Sequence, residues 1–387
     1  MYDEQIVRVL VTAPLGVGGV TSMMINIQSH LDRQKINFDY LVTHDRKEPQ
    51  EDTVIAMGSR KLIASVDKIP VRFLRTIMRP FIISKVCKDN NVKILHCNAD
   101  CAIDVLNILG ARIGGVQYVT IHSHNAGIKS QTLGIKIAHY LLKPLIPLCC
   151  DNCYGCSDLA ARALLPKSLI KKKMYSVLPN GIDLKKFEYN KQNRQEIRKK
   201  MRLEGKYVVG HAGRFSTEKN HSFLLDIFNE IHKKNENSVL LLLGTGELME
   251  SIRKKAIDLG IEDSVIFYGR TDEMYKMWQA IDIFIMPSLY EGLPVSGIEA
   301  QASGLPCIFS ETITKEVGLT DKIEFLSLNE SPKKWAEHAL MYMGSERKSE
   351  VNKLRKAGYD IQQTADTLSK LYLEVYNHKI RKRNLYD

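Results

Sequence analysis

Residues 213–220 read GRFSTEKN and follow an apolar run, Tyr207–His211, that has the composition of a buried strand. This motif puts a glycine turn and two cations, Arg214 and Lys219, where we expect the strand to lead into a helix. Residues 291–299 read EGLPVSGIE, and there a turn after a second strand-like run is flanked by Glu291 and Glu299. Both motifs are therefore expected at the carboxyl ends of parallel strands, where such sheets bind their ligands.

The charged side chains of these two motifs suit the two parts of a nucleotide sugar. Arg214 and Lys219 would bind a diphosphate, with help from the free N–H groups of a helix beginning near Asn220. Glu291 and Glu299 would accept hydrogen bonds from sugar hydroxyls. Each feature has an ordinary alternative, a solvated basic loop for the cations and a helix-capping role for a glutamate. The combination indicates one site for a nucleotide sugar.

Two further glycine turns follow strand-like runs. Residues 244–247 read GTGE, and Gly244 would allow a close approach to a phosphate or a base. Residues 16–21 read GVGGVT, and Gly18 and Gly19 offer flexible backbone N–H groups at a helix start. The second turn resembles a dinucleotide-binding fingerprint, although a threonine occupies the third glycine position. A nicotinamide oxidoreductase with Asp45 on the ribose is an alternative that leaves the second half of the chain unexplained.

Apolar runs without alternation recur along the whole chain, separated by segments of helical period. They lie at residues 6–12, 38–42, 93–96, 116–121 and 152–156 and then at 207–211, 239–243, 265–268, 282–286 and 306–309. Such runs predict parallel sheets covered by helices on both faces. The turn at 179–183, PNGID, and the polar stretch after it mark a boundary. We therefore predict two doubly wound α/β domains, 1–183 and 184–360, facing across a cleft, with a last helix at about 361–379 that packs back on the first.

Composition describes a globular chain with a basic first half. The chain has 387 residues and a formal net charge of +11. Residues 1–183 carry 23 Lys and Arg against 15 Asp and Glu, a balance of +8, which favours an anionic partner such as a lipid phosphate or membrane surface over nucleic acid. No apolar run approaches the ~20 residues that span a bilayer. The acidic start does not resemble a secretion signal, so we expect a cytoplasmic protein, peripheral on the inner face of the plasma membrane if that surface is bound.

Histidines and arginines of the first half offer further candidates. His122 and His124 end a strand and would project on the same side, which favours a polar contact to substrate over a metal site, since no acidic cluster lies nearby. Arg72, Arg75 and Arg79 recur at helical spacing between apolar residues. This pattern is compatible with a helix on a membrane surface or beside a lipid-linked phosphate, interrupted by Pro80, but an ordinary surface helix of a domain is the favoured interpretation.

Cysteines allow one more interpretation. Cys150, Cys153 and Cys156 have a spacing seen in iron–sulfur and zinc sites. The stretch 152–156 reads instead as a short buried strand, in which free cysteine is a common small core residue. We therefore expect no metal here.

Taken together, these motifs resemble the retaining glycosyltransferases of family 4, which have the GT-B fold, and among them bacterial capsule and exopolysaccharide enzymes. The resemblance covers nearly the whole chain and is most specific between residues 179 and 309. It implies that Arg214 and Lys219 bind the donor diphosphate, that Glu291 faces the donor sugar and that Glu299 faces the ribose. The set of residues that it marks as catalytic is His122 and Glu291. Those that it marks as donor-binding are Gly18, Gly19, Arg214, Lys219, Gly244 and Glu299.

The same resemblance implies transfer from a nucleotide diphosphate sugar, with uridine as the expected base, to a glycan or lipid-diphosphate-linked acceptor. The departing phosphate would take the acceptor proton. No cofactor and no divalent metal are expected, since the chain has no Asp-x-Asp pair to hold a cation on the diphosphate. A sugar-nucleotide epimerase of the same fold and a non-catalytic nucleotide-sugar binder are the remaining alternatives.

Overall fold

The computed structural model describes residues 6–16, 18–125, 127 and 132–380. The described residues form two units, each with its own core. The first contains the residues up to Gly181 and those from Ile361 onward, and the second contains Ile182–Asp360.

The first unit is a parallel sheet covered by helices. Its elements are β1 (Val7–Thr12), α1 (Gly19–Ser29), β2 (Ile36–Val42), α2 (Glu51–Ala56), β3 (Lys61–Ile63), α3 (Arg72–Asp89), β4 (Ile94–Ala99), α4 (Asp104–Ile113), β5 (Tyr118–Ser123), α5 (Leu133–Leu142), α6 (Ile146–Cys149), β6 (Asn152–Gly155), α7 (Asp158–Leu164), α8 (Lys167–Lys171) and β7 (Ser176–Val177). In the described residues the seven strands have the order β3-β2-β1-β4-β5-β6-β7. The central strands are buried on both faces. In β1, for example, Val9 is in register with Phe38 of β2 on one side and with Ile94 of β4 on the other. This explains why the sequence shows unalternating apolar runs.

A helix from the end of the described chain completes the first unit. This helix, α17 (Ile361–Val375; the labels α9–α16 belong to the second unit), packs against α1 and β1. Its apolar face includes Leu368 and Tyr372, which are fully buried in the core with Val9 and Phe38. The Gln362 amide also donates to the backbone carbonyl of His30 at 3.3 Å. The last helix is therefore part of the core of the first unit.

The second unit repeats the doubly wound plan. Its elements are α9 (Leu184–Phe187), α10 (Lys191–Lys200), β8 (Tyr207–Ala212), α11 (His221–Lys234), β9 (Ser238–Leu243), α12 (Met249–Asp258), β10 (Val265–Gly269), α13 (Met274–Ala280), β11 (Ile283–Met286), α14 (Val295–Ala302), β12 (Cys307–Ser310), β13 (Ile323–Leu326), α15 (Pro332–Met341) and α16 (Val351–Lys356). Its parallel sheet has the strand order β10-β9-β8-β11-β12-β13 in the part described. The order reverses between β8 and β11, and a ligand crevice lies beyond the carboxyl ends of the strands at such a point.

Helix α3 differs from its sequence prediction, because Pro80 lies inside a continuous helix and does not interrupt it. The reason is its packing against α4. A Cβ on Gly110 would lie 2.2 Å from the carbonyl oxygen of Pro80, so the glycine allows the two backbones to touch. This close contact stabilises the turn that lacks the proline N–H.

Candidate active site

The loops after β8 and β11 meet at the point where the strand order reverses. The Asn220 amide donates to the carbonyl of Pro287 at 3.1 Å, and the Leu289 N–H donates to the carbonyl of Glu218 at 2.8 Å. Asn220 has a left-handed backbone with φ of 54°, and α11 begins directly after it. These contacts fix the two motifs against each other, since β8 and β11 are neighbours in the sheet.

Lys219 and Glu291 form an ion pair across this junction. The Lys219 Nζ donates to Oε1 of Glu291, and both side chains are largely buried. The two residues are 72 positions apart in the chain and come together only through the strand order. The two charges of such a largely buried ion pair attract each other more strongly than they would in water, because the local dielectric is lower. The site therefore holds a cation and a carboxylate in contact at the carboxyl end of the sheet.

Arg214 lies beside this pair but is far more exposed. Its guanidinium contacts Oε2 of Glu247 at 3.1 Å, and 71% of the Arg214 side chain is accessible. An exposed ion pair of this kind contributes little to stability, typically about 0–1 kcal/mol. The guanidinium can consequently leave Glu247 for a stronger anionic partner at small cost.

The turns after β8 and β9 are in direct backbone contact. Gly213 donates to the carbonyl of Leu243 at 3.0 Å, and Phe215 donates to the carbonyl of Thr245 at 3.1 Å. Gly244 has a φ of +133°, and a Cβ there would lie 2.1 Å from the carbonyl oxygen of Gly213. The conformation of Gly244 is thus required by the backbone contact between the two turns, and this contact positions Arg214. A role of Gly244 in touching a ligand stays a prediction.

We expect Gly244→Ala to destabilise the second unit and displace the Arg214 loop. The strained φ costs roughly 1–3 kcal/mol, and the backbone clash adds a cost of about 1–3 kcal/mol. The matched control is Gly260→Ala, where φ is +67° but no atom lies within 4 Å of the added Cβ. Thermal unfolding should show a clearly larger drop in Tm for Gly244→Ala. Equal drops would mean that the two turns can separate freely.

Two buried histidines lie next to Lys219, and the sequence analysis did not identify them. His211 is the penultimate residue of β8 and His221 is the first residue of α11, with ring centroids 4.7 Å apart. Burial lowers the pKa of His221 to about 4, with a further contribution from the Lys219 charge, and burial also holds the pKa of His211 well below its usual value. Both rings are therefore neutral, and Lys219 supplies the positive charge at this point. The positions of these two histidines in the sequence did not indicate a functional role, because each has the pattern of an ordinary residue at the end of a strand or helix.

Glu299 lies one turn into α14 and away from the ion pair. Its Oε2 accepts a hydrogen bond from the Trp278 indole at 3.0 Å. Burial raises the pKa of the Glu299 carboxyl to about 7, against the opposing effects of the Trp278 bond and the Lys186 charge. The group is a fixed acceptor whose protonation changes near neutral pH.

Gly18 and Gly19 belong to the first unit, at the start of α1. Gly18 precedes the helix in extended conformation, and no side chain caps the helix N-terminus. A Cβ on either glycine would meet no atom within 4 Å. Thr21, in the third glycine position of the fingerprint, donates to the carbonyl of Pro14 at 2.5 Å. The hydrogen bond of Thr21 to Pro14 thus links the two ends of this turn.

His122 and His124 lie together at the end of β5, with ring centroids 4.1 Å apart. His122 is buried, and its pKa is held well below its usual value by burial and by the neighbouring histidines. His124 is half-buried and contacts the side-chain oxygen of Asn98 at 2.7 Å. Behind them, His96 contacts the hydroxyl of Tyr372 in α17 at 2.6 Å. The two histidines project on one side, as predicted, and His124 is the more accessible.

Cysteines in the described part of the chain form no disulfide, and Cys153 and Cys156 are buried. Among the described residues, no group of three or more His, Cys, Asp and Glu side chains is arranged to hold a metal ion.

Comparison with known proteins identifies the class. Residues 193–360 match the family model described as glycosyl transferases group 1. The putative glycosyltransferase EpsF of Bacillus subtilis (strain 168) is 31% identical over 387 residues, with 97% of this chain and 97% of EpsF covered. The chain belongs to the group 1 glycosyltransferases.

Other relatives agree with this assignment. A UDP-Gal:alpha-D-GlcNAc-diphosphoundecaprenol alpha-1,3-galactosyltransferase of Escherichia coli is 26% identical over 232 residues, covering 58% of this chain and 59% of that enzyme. The structure of Anabaena HepE in complex with UDP has a TM-score of 0.69 at 14% identity, covering 98% of this chain and all of HepE. A glycosyltransferase from Rickettsia africae reaches a TM-score of 0.73 at 13% identity, covering 97% of this chain and all of that protein. The likeness to solved structures confirms the GT-B fold.

None of the described helices is both long enough and apolar enough to cross a membrane.

Proposed function

We propose that this glycosyltransferase moves a hexose from a uridine diphosphate sugar to a lipid-linked glycan of a cell-surface polysaccharide, with retention at the anomeric carbon. The observation that carries the proposal is the contact between Lys219 and Glu291 at the reversal of strand order, with Arg214 beside it. A cation that suits phosphate and a carboxylate that suits sugar hydroxyls meet there at one point.

Donor binding would use the second unit. Lys219 and Arg214 would contact the diphosphate, with Arg214 leaving Glu247 as the phosphate arrives. The N-terminus of α11, directly after Asn220, adds partial positive charge. Glu291 would then hold the hydroxyls of the sugar, and Glu299 those of the ribose. The contact between Lys219 and Glu291 means that the sugar end and the phosphate end are bound by neighbouring groups.

The reaction would proceed by front-face attack. The bond between the anomeric carbon and the phosphate oxygen breaks, while a bond from the acceptor oxygen to the same face of that carbon forms. The acceptor proton passes to the departing phosphate oxygen, so no protein nucleophile is needed. Negative charge grows on the diphosphate as it departs. Lys219 and Arg214, placed before the reaction begins, stabilise that charge and lower the barrier.

Residues of the first unit would serve the acceptor side and the phosphates. The uncapped start of α1 at Gly18 and Gly19 offers free N–H groups to an anion. The imidazole of His122 or of His124 would contact the donor sugar near the anomeric carbon. His124 is the more accessible of the two, whereas His122 is buried and would orient His124 through the contact between their rings.

The choice of uridine and of a lipid-linked acceptor is supported by the relatives. HepE is described in complex with UDP and with UDP-glucose, and the E. coli relative is named for UDP-galactose and a diphosphoundecaprenol-linked acceptor. EpsF covers almost the whole chain, which favours an exopolysaccharide-type product.

We expect transfer without a divalent metal, because Lys219 and Arg214 would neutralise the diphosphate in place of a cation. Product formation should be the same in a chelator such as EDTA as in added magnesium or manganese. Activity that is lost in chelator and restored by either ion would contradict this.

A nucleotide screen by thermal unfolding tests the donor assignment. A ligand that binds only the folded protein stabilises it by about 2.7 kcal/mol at a concentration 100 times its Kd. UDP and UDP-sugars should raise Tm, while NAD should not. A rise with NAD alone, or no rise with any nucleoside diphosphate, would overturn the proposal.

A further inference from the structure

Three helices of the first unit expose apolar side chains on their outward faces. These side chains form what we call the apolar surface: Leu74, Ile77, Met78 and Phe81 of α3, Leu133, Ile137, Tyr140 and Leu141 of α5, and Leu148 of α6. Phe81 is 61% accessible, Leu141 71% and Leu148 83%. Their spacing places each group on one side of its helix.

The opposite sides of the same helices face the core. Ile83 and Cys87 of α3 are buried, as is His139 of α5. The helices therefore have an ordinary inward face, and the exposed apolar residues are additional to it. Single exposed apolar side chains are normal, whereas a contiguous group of them marks an interaction site.

The inward faces of these helices share one buried cluster, which contains Ile83 of α3 and Ile146 of α6 and against which Leu142 of α5 packs. The helices therefore cover the same side of the sheet, and their outward faces lie on that side of the unit. Burial raises the pKa of the Asp104 carboxyl to about 6, and the nearby charge of Arg79 on α3 acts in the opposite direction. The His139 ring of α5 accepts a hydrogen bond from the Ala102 N–H at 3.2 Å. The apolar surface is thus built by neighbouring elements of one unit.

The two arginines of α3 whose side chains the structure describes, Arg75 and Arg79, do not form the outward face, in contrast to the predicted arginine stripe. Arg75 is half-buried and donates to the carbonyl of Ile69 at 2.6 Å. Arg79 is half-buried as well, and the side chain of Arg72 lies outside the part of the chain that the structure describes. The face that a partner meets on α3 is apolar.

Charge around this surface is of one sign. Neither residues 68–88 nor residues 105–150 contain a single Asp or Glu. Lys85 and Lys88 of α3 are exposed and Lys136 lies on α5, whereas Lys143, just after α5, donates to the backbone carbonyl of Ala163 at 2.8 Å. A second copy of the chain would bring the same positive charge against this surface, which disfavours self-association. An anionic surface with an apolar interior complements both features.

We propose that the apolar surface docks on an anionic lipid bilayer, with Leu, Ile, Met and Phe side chains entering the acyl region and the lysines meeting the headgroups. Tyr140 has the amphipathic ring that suits the boundary between the two. Docking of this kind covers the exposed apolar area that water otherwise contacts. It holds the first unit at the membrane without a spanning segment.

Vesicle flotation of the full chain tests this, with vesicles of phosphatidylcholine and phosphatidylglycerol in equal parts and vesicles of phosphatidylcholine alone. The wild-type chain should float with the anionic vesicles more than with the neutral ones. The double variant Phe81→Asp/Leu141→Asp should lower the partition coefficient about tenfold or more. The matched control is Ile257→Asp/Met341→Asp, which changes two equally exposed apolar residues of the second unit and should float like wild type.

Three results would overturn the proposal. These are equal flotation of the variant and wild type, absence of wild-type flotation, and a wild-type dimer in solution that the variant abolishes. If the aspartate variant has a lowered Tm, Phe81→Gln/Leu141→Gln replaces it. Flotation needs no donor and no acceptor, so its failure leaves the proposed transferase function untouched.

Discussion

Replacing Lys219 by alanine should cause the largest loss of donor use that a single surface-loop substitution in this protein can produce. The ammonium is the cation nearest the junction of the β8 and β11 loops, and the neighbouring His211 and His221 are neutral. Loss of a hydrogen bond to a charged group costs roughly 1.5–3 kcal/mol. The variant also leaves the Glu291 carboxylate unpaired beside the diphosphate, which adds repulsion.

We therefore expect kcat/KM for the donor to fall about 100-fold or more, since each 1.36 kcal/mol of lost transition-state stabilisation lowers the rate tenfold. Calorimetry with UDP should show weakened binding, and Tm without ligand should fall as well, because the largely buried Glu291 carboxylate loses its partner. Lys276→Ala is the matched control, because Lys276 is an exposed lysine of the same unit paired with Glu273. UDP affinity within a factor of about two of wild type would remove Lys219 from the diphosphate site.

Glu291→Gln should reduce turnover while leaving the affinity for UDP nearly unchanged. Glutamine keeps the size of the side chain but loses its charge and one acceptor site. If Glu291 orients the sugar, its contacts matter most as the sugar departs. A misplaced reacting centre costs about 100-fold in rate, so kcat should fall by that order. Steady-state kinetics and UDP calorimetry on the same preparations separate the two effects.

Glu299→Gln provides the comparison. Glu299 of α14 accepts a hydrogen bond from Trp278 of α13. If Glu299 faces the ribose, its substitution should weaken UDP binding more than Glu291→Gln does. Full turnover in Glu291→Gln would mean that its carboxylate serves only to pair with Lys219 and that the sugar is held elsewhere.

The architecture could be predicted from the sequence because parallel strands that are buried on both faces appear there as continuous apolar runs. Runs such as 207–211 and 239–243 became β8 and β9 with bounds shifted by a residue. The strands that were not predicted are short or poorly buried: β3 has three residues, β7 has two exposed residues, and β13 is only half-buried. Edge strands of this kind have too few apolar positions to show a pattern.

The site was predicted as a set of residues but not as a set of contacts. Turn chemistry pointed to Lys219 and Glu291 separately, whereas their pairing depends on the adjacency of β8 and β11. The orientation of α3 also required the structure. Arginine and apolar residues alternate along that helix, and only the packing of α4 against Pro80 decides which set faces outward.

The most direct test of the proposed reaction is to follow UDP-glucose and UDP-galactose with the wild-type protein by proton NMR, using Lys219→Ala as the blank. Release of UDP should accompany release or transfer of the sugar. The first sugar signal to appear should have the α configuration of the donor, before mutarotation in water mixes the anomers. A first product in the β configuration would contradict retention, and UDP release at the same rate in Lys219→Ala would contradict the donor site described above.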